Sequence, residues 1–271
     1  MKSIEVDGGH VGCWDSGTGP ALVVIHGTGT PGELWKADLL ELTRSCRVIT
    51  YDRRGYGRSS EAPGSWQAHR NDAARVIEQL GATPATVLGY GGGAIAAVDL
   101  AIQRPELVAG LVLVDPALYG QRERPRGLWR VLMQVAVERR LRAEATAAET
   151  WIRYISSYQA GGSAWDKAVP ARREAILASA PGILADLDAG DGSYIDERHL
   201  RELGVPVTIV DARQGPAVFR ESVDRLSALI PQARVVALEN SSHIVMLDAR
   251  SEMLEVLRDA MGARRPVSRA D

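Results

Sequence analysis

Short, almost uninterrupted apolar runs recur along this chain, and each stops at a glycine or a polar residue. They occupy 21–25, 47–51, 85–88, 110–114, 205–210 and 233–238. Runs this short, rich in valine and isoleucine and without strict alternation, predict strands buried on both faces. Between them the apolar positions take helical spacing, at 70–80, 94–103 and 222–230. Strands alternating with helices predict an α/β fold: a mostly parallel central sheet flanked by helices. The alternation stops in 118–202, where helical patterns at 128–148, 149–158 and 171–180 follow one another with no convincing strand. That stretch reads as a helical cap or lid inserted between the fourth and fifth of these strands, leaving 1–117 and 203–271 as the core. Residues 263–271 are polar and read as a frayed end. No internal repeat or low-complexity tract interrupts the pattern.

Composition narrows the class without naming an activity. With 271 residues, 45% hydrophobic and 24% charged, the chain suits one large globular domain or a core with an insertion. Its net charge of −2 gives no electrostatic case for nucleic acid or an anionic membrane as partner. The lid is the stretch richest in arginine. A solvated basic face is the simpler reading, and attraction of an anionic substrate the other. The first residues, Met1 to Val6, form no signal peptide, and no apolar run is long enough to span a bilayer, so a cytoplasmic protein is expected. Cys13 and Cys46 suggest neither a disulfide framework nor a metal site. No histidine pair has metal-ligand spacing, so neither metal nor cofactor is called for. A monomer or a homodimer fits equally.

The segment with the most chemical content is Thr86-Val87-Leu88-Gly89-Tyr90-Gly91-Gly92-Gly93-Ala94. A β-branched run enters a tight glycine turn and leaves as a small-residue helix, which is the strand–turn–helix setting of a G-x-S-x-G nucleophile elbow. Gly89 and Gly93 supply the outer glycines and read as packing residues between helix and strand. The centre is Gly91, where the nucleophilic serine would stand. Glycine holds the left-handed conformation of such a turn at little steric cost, so the setting is kept while the reactive oxygen is absent.

Three further segments follow the same order along the chain. They are His26-Gly27-Thr28-Gly29 after the first apolar run, Tyr51-Asp52-Arg53-Arg54-Gly55-Tyr56-Gly57-Arg58-Ser59 after the second, and Ser242-His243 after the last. With the elbow they make the chain resemble the α/β-hydrolase fold superfamily over most of its length except the lid. The resemblance implies that these strand ends converge on one site. It implies that His243 is the catalytic histidine. It also implies an oxyanion hole made by the Gly92 amide and an amide of the loop at Thr28 or Gly29. The acid it implies is displaced: the usual position falls at Gln214 or Gly215, Asp211 lies earlier, and Asp115 occupies a second position used by some members. Asp115 would hold the histidine tautomer or, alternatively, cap a turn before Pro116. Tyr90, Gln214 and Gly29 are candidate substrate contacts, with packing under the lid the other reading for Tyr90. His26, Asp52 and Ser59 read as structural, and His10, His69 and His199 as surface residues.

A covalent acyl-enzyme needs an activated side-chain nucleophile, and position 91 supplies none. The expected activity is therefore non-covalent: His243 as general base and the amides as oxyanion donors, acting on a small carbonyl-containing molecule. That pairing suits elimination, cyclisation or rearrangement, a lyase- or cyclase-like reaction of secondary metabolism. The alternatives are direct attack of water on an ester or lactone, or a non-catalytic ligand-binding homologue.

Overall fold

The computed structural model describes residues 1–60, 64–119 and 126–262. Its centre is an eight-stranded sheet built from β1 (Lys2–Val6), β2 (Gly9–Ser16), β3 (Ala21–Ile25), β4 (Arg47–Tyr51), β5 (Ala85–Tyr90), β6 (Val108–Val114), β7 (Val207–Ala212) and β8 (Arg234–Leu238). The spatial order is β1-β2-β4-β3-β5-β6-β7-β8. From β4 to β8 neighbouring strands run parallel, whereas β1 and β2 add an antiparallel hairpin at one edge. The α/β-hydrolase fold read from the sequence is the fold observed.

The hairpin was not anticipated. Its outer strand β1 is mostly polar and exposed and buries only Ile4, whereas β2 buries Val11 to Trp14. The signal for it lies in the turn, where Val6 pairs with Gly9 around Asp7-Gly8 and Gly8 takes φ +80°. An Asp-Gly loop of two residues is what such a turn demands.

Along the parallel strands β3 to β7, successive side chains enter opposite cores, which is why these strands read as largely apolar runs; β8, expected to be buried on both faces, is an edge strand that leaves Val235 exposed. Val23, Ile25, Leu111, Leu113 and Ile209 meet α2 (Trp66–Gln79), α3 (Gly93–Gln103) and α10 (Ala217–Leu229). Leu22, Val24, Val112 and Val114 face the other way, onto α1 (Gly32–Asp38), α11 (Val245–Asp248) and α12 (Arg250–Ala260).

Between β6 and β7 the described residues form helices: α4 (Arg126–Arg140), α5 (Glu144–Ile155), α6 (Ala164–Lys167), α7 (Pro170–Leu177), α8 (Ala180–Asp188) and α9 (Glu197–Arg201). The single helix expected over 128–148 is broken after Arg140, where Arg142 adopts a left-handed φ of +58°. The pattern at 171–180 divides as well. Helix α8 begins afresh with Pro181 in its first turn, where a missing N–H costs nothing. A third apolar cluster joins these helices to the core through Trp151, Ile152, Ile183, Val218 and Phe219. The tail at 263–271 lies outside the described residues. Among the described residues no helix is long and apolar enough to cross a membrane. Cys13 and Cys46 are buried and unpaired.

Helix α3 approaches the sheet closely enough to exclude a side chain at its first residue. A Cβ on Gly93 would stand 2.2 Å from the Ile25 carbonyl oxygen and 2.5 Å from that of His26, and one on Gly89 2.6 Å from the Ala94 Cα. Both obstacles are backbone, so the helix itself must move. Gly93→Ala is therefore expected to lower stability by about 2 kcal/mol or more, in the range of overpacked cores, read as a lower thermal midpoint.

Candidate active site

Strand β6 delivers the first functional group. Immediately after Val114 the chain turns through Asp115, which holds φ +40°, an uncommon value for a side-chain-bearing residue. Its N–H donates to the Val210 carbonyl (2.9 Å), which locks the turn to β7. The fully buried carboxylate then uses both oxygens. Oδ1 accepts the Ala212 N–H at 2.9 Å, and Oδ2 accepts Nδ1–H of His243 at 3.0 Å. Of the candidate acids, Asp115 is the one joined to the histidine. Asp211 points elsewhere, 3.0 Å from Arg213 Nε, and burial pushes its carboxyl above the ordinary value. At the usual acid position neither residue supplies a carboxylate: Gln214 turns its side chain to the Glu239 carbonyl, and a Cβ on Gly215 would sit tightly, 3.1 Å from the His243 backbone nitrogen.

His243 stands on the loop between β8 and α11. Donation from Nδ1 leaves Nε2 as the acceptor, the tautomer a general base needs. Nε2 has no hydrogen-bond partner among the described residues, and it faces Gly91. A Cβ built on Gly91 would stand 3.3 Å from Nε2 and from Cε1. Gly91 takes φ +51° and is held there by backbone alone. Its N–H donates to the Val114 carbonyl (2.9 Å), and its own carbonyl accepts from Ala94 (3.2 Å) and Ala117 (3.0 Å). The turn thus keeps its shape with no side chain at its apex.

Gly92 opens α3 beside Thr28. A Cβ on Gly92 would be 3.2 Å from Thr28 Oγ1, and neither residue's N–H donates to another group among the described residues. Both line the same cavity as Gly91 and His243, under Leu128, Leu132, Trp151 and Ile155 of the inserted helices. Among the described residues no lysine or arginine lines it, although the lid is rich in arginine.

Beneath Thr28 lies a buried ion pair that the sequence did not signal. Arg53 grips Asp186 of α8 with both guanidinium nitrogens, at 2.9 and 2.6 Å. Asp186 also accepts from Thr28 Oγ1 (2.9 Å) and the Tyr56 hydroxyl (2.6 Å). Arg53 Nε donates to the His26 carbonyl, and its N–H to His26 Nε2. Burial pushes the Asp186 carboxyl up, but Arg53 and His69 more than offset this, leaving it well below the usual carboxylate range. The partners are 133 residues apart, so no local pattern announces them.

Three expected substrate contacts lie away from the cavity lining. The Tyr90 hydroxyl donates to the His243 carbonyl, placing its ring beneath the histidine. Gln214 donates to the Glu239 carbonyl (2.9 Å). Gly29 is covered by α5, where a Cβ would meet Ile152 Cδ1 at 2.3 Å, so of the two loop residues Thr28 is the one that reaches the cavity. His69, expected at the surface, is buried 3.7 Å from Asp186, because α2 turns that face inward. His10 is exposed. Among the described residues no cluster of His, Cys, Asp and Glu could hold a metal ion.

A histidine tied to a strand-end carboxylate, facing a glycine turn at the start of a helix beneath an inserted helical cap, is the site plan of an α/β-hydrolase. Residues 22–256 match the model of the Alpha/beta hydrolase family, and the chain belongs to that family. A pimeloyl-[acyl-carrier protein] methyl ester esterase of Aeromonas salmonicida (strain A449) is 27% identical over 263 residues, covering 91% of this chain and 97% of that protein. The solved enol-lactonase from Burkholderia xenovorans LB400 superposes with a TM-score of 0.77 at 20% identity, covering 96% and 100% of the two chains. A thermophilic esterase from Thermogutta terrifontis gives 0.76 at 22%, covering 95% and 96%. These names overturn the lyase- or cyclase-like expectation and its link to secondary metabolism. Relatives named for ester and lactone hydrolysis point to hydrolytic chemistry instead.

Removing one partner of the Arg53–Asp186 pair strands a buried charge. Asp186→Asn is expected to cost about 3 kcal/mol or more of stability, measured by denaturant unfolding. Because the native carboxyl is held low, its contribution is present above the unfolded value. It should fade as the pH falls below about 4, and Asp186→Asn should flatten that part of the stability profile.

Proposed function

We propose that this protein hydrolyses a small, uncharged ester or lactone by direct attack of water, without a covalent intermediate. The observation that carries the reading is the placement of His243. Its Nδ1 is bound to Asp115, and its free Nε2 faces the place above Gly91 where a serine side chain would stand. In this reading Nε2 takes a proton from water as the water oxygen bonds to the substrate carbonyl carbon. The carbonyl electron pair moves onto oxygen, where the Thr28 and Gly92 amides receive the negative charge. Collapse of the tetrahedral adduct breaks the bond to the alcohol oxygen, which takes the proton back from the imidazolium. Acid and alcohol leave, or a hydroxy acid where the substrate is a lactone.

Names of relatives support hydrolysis, and the cavity supports an uncharged substrate. Its walls are mostly apolar, and of the two carboxylates described in them, Asp186 and Asp191, the deeper one at Asp186 is already bound by Arg53, Thr28 and Tyr56.

The test is turnover of short neutral esters and lactones by the natural protein, His243→Ala and Gly91→Ser. The natural protein should turn over, and His243→Ala should lower kcat about 100-fold or more. Gly91→Ser places a hydroxyl within reach of Nε2, at a strain cost of about 1–2 kcal/mol for its left-handed backbone. It should release the alcohol product in a burst as acyl-enzyme accumulates. An inert natural protein beside an active Gly91→Ser would refute direct attack by water.

A further inference from the structure

The imidazole of His243 lies between two aromatic rings. Phe219, in the first turn of α10, stacks on it with centroids 4.0 Å apart and planes 2° from parallel. Tyr90 stacks at 4.6 Å and 17°. Two rings this close and this nearly parallel to a third cannot share a face, so they sandwich it. Tyr90 is fixed from below by its hydroxyl bond to the His243 carbonyl and by an edge contact with Trp35 at 5.2 Å. Phe219 closes the face toward the cavity, which it helps to line. It is the single phenylalanine of the chain.

A histidine ring is fully oriented when both nitrogens are bound. Here Nδ1 is bound and Nε2 is not, because Gly91 offers no hydroxyl. One hydrogen bond sets the ring's position but leaves it free to swing about the Nδ1···Oδ2 axis. Any such swing carries the imidazole into Phe219 or Tyr90. We infer that Phe219 is a positioning residue that replaces the missing serine contact, pinning the imidazole plane so that Nε2 stays aimed over Gly91. A constraint of this kind matters most while position 91 is glycine. It becomes redundant once a serine oxygen can hold Nε2.

The kinetic side of this inference rests on the hydrolytic reading, whereas its spectroscopic side does not. Phe219→Leu removes the ring while keeping the site apolar, and Phe219→Tyr keeps the ring. The low-field proton resonance of His243 Nδ1–H, assigned by its absence in His243→Ala, should be sharp in the natural protein and in Phe219→Tyr. It should broaden or vanish in Phe219→Leu. On an ester or lactone that is turned over, Phe219→Leu should lower kcat about tenfold with KM little changed, the scale of one aromatic stack. In a Gly91→Ser background the same substitution should cost no more than about twofold, since coupled sites do not add. A resonance that stays sharp in Phe219→Leu, or an equal kcat loss in both backgrounds, overturns the inference. If the natural protein turns nothing over, the hydrolytic reading fails and the resonance alone decides this one. Should Phe219→Leu fail to fold by circular dichroism, Phe219→Met takes its place with the same expectations.

Discussion

The site depends on how the Asp115 carboxylate divides its two oxygens. One accepts a backbone N–H of β7 and the other the histidine, so strand pairing and imidazole orientation are parts of one arrangement. Hydrogen bonds to both oxygens offset the cost of burying this carboxyl group so deeply. The same bonds fix the chemistry. A carboxylate that accepts from Nδ1 leaves the lone pair on Nε2, so the tautomer follows from the sheet geometry. They also explain why the acid sits after β6. The histidine loop packs closely against the end of β7, so a side chain at position 215 would press on the His243 backbone at 3.1 Å.

The second constraint is the Arg53–Asp186 pair. Buried ion pairs often add little net stability compared with apolar residues, yet breaking one is costly. Its consequence here is geometric. Asp186 belongs to α8, one of the helices inserted between β6 and β7, and it bonds the guanidinium, Thr28 and Tyr56 together. The loop presenting the Thr28 amide is therefore fastened to the roof of the cavity. A shift of α8 would move a proposed oxyanion donor along with the cavity wall, so the inserted helices are coupled to the chemistry as well as to substrate fit.

The inner parallel strands were legible because each is buried on both faces and carries a largely apolar run, whereas β8 carries such a run at the exposed edge of the sheet. The hairpin β1–β2 was less so, since β1 is mostly polar and buries only Ile4. At the site, the legible residues sit at strand ends, where order along the chain predicts position in space: Thr28, Gly91, Gly92, Asp115 and His243 converge as the motif order implies. Asp186 and Phe219 lie on helices, where neither spacing nor residue type distinguishes a site residue from a packing one. Tyr90 shows the limit of reading a neighbour by proximity. It adjoins the turn in sequence, but its side chain leaves the cavity to support the histidine from behind. His69 was misplaced for a similar reason, since a lone polar residue in a helix gives no sign of which face turns inward.

In the proposed reaction, glycine at position 91 in place of a serine changes what the remaining groups must do. A serine nucleophile is tethered, and holding reactants in place is worth large effective concentrations. Free water has no such tether, so more of the barrier falls to the intrinsic reactivity of the acyl group and to the donors awaiting the oxyanion. That balance favours activated or strained carbonyls, lactones among them, over unactivated esters. It also raises the demand on His243. In a complete triad the serine hydroxyl helps to orient the imidazole, whereas here Asp115, Tyr90 and Phe219 carry that task between them. The backbone of the turn requires nothing in exchange, because its hydrogen bonds to Val114, Ala94 and Ala117 hold it without a side chain. The fold can therefore carry glycine at this turn without losing the surrounding geometry, and in the proposed reaction the outcome is set by where one imidazole nitrogen points.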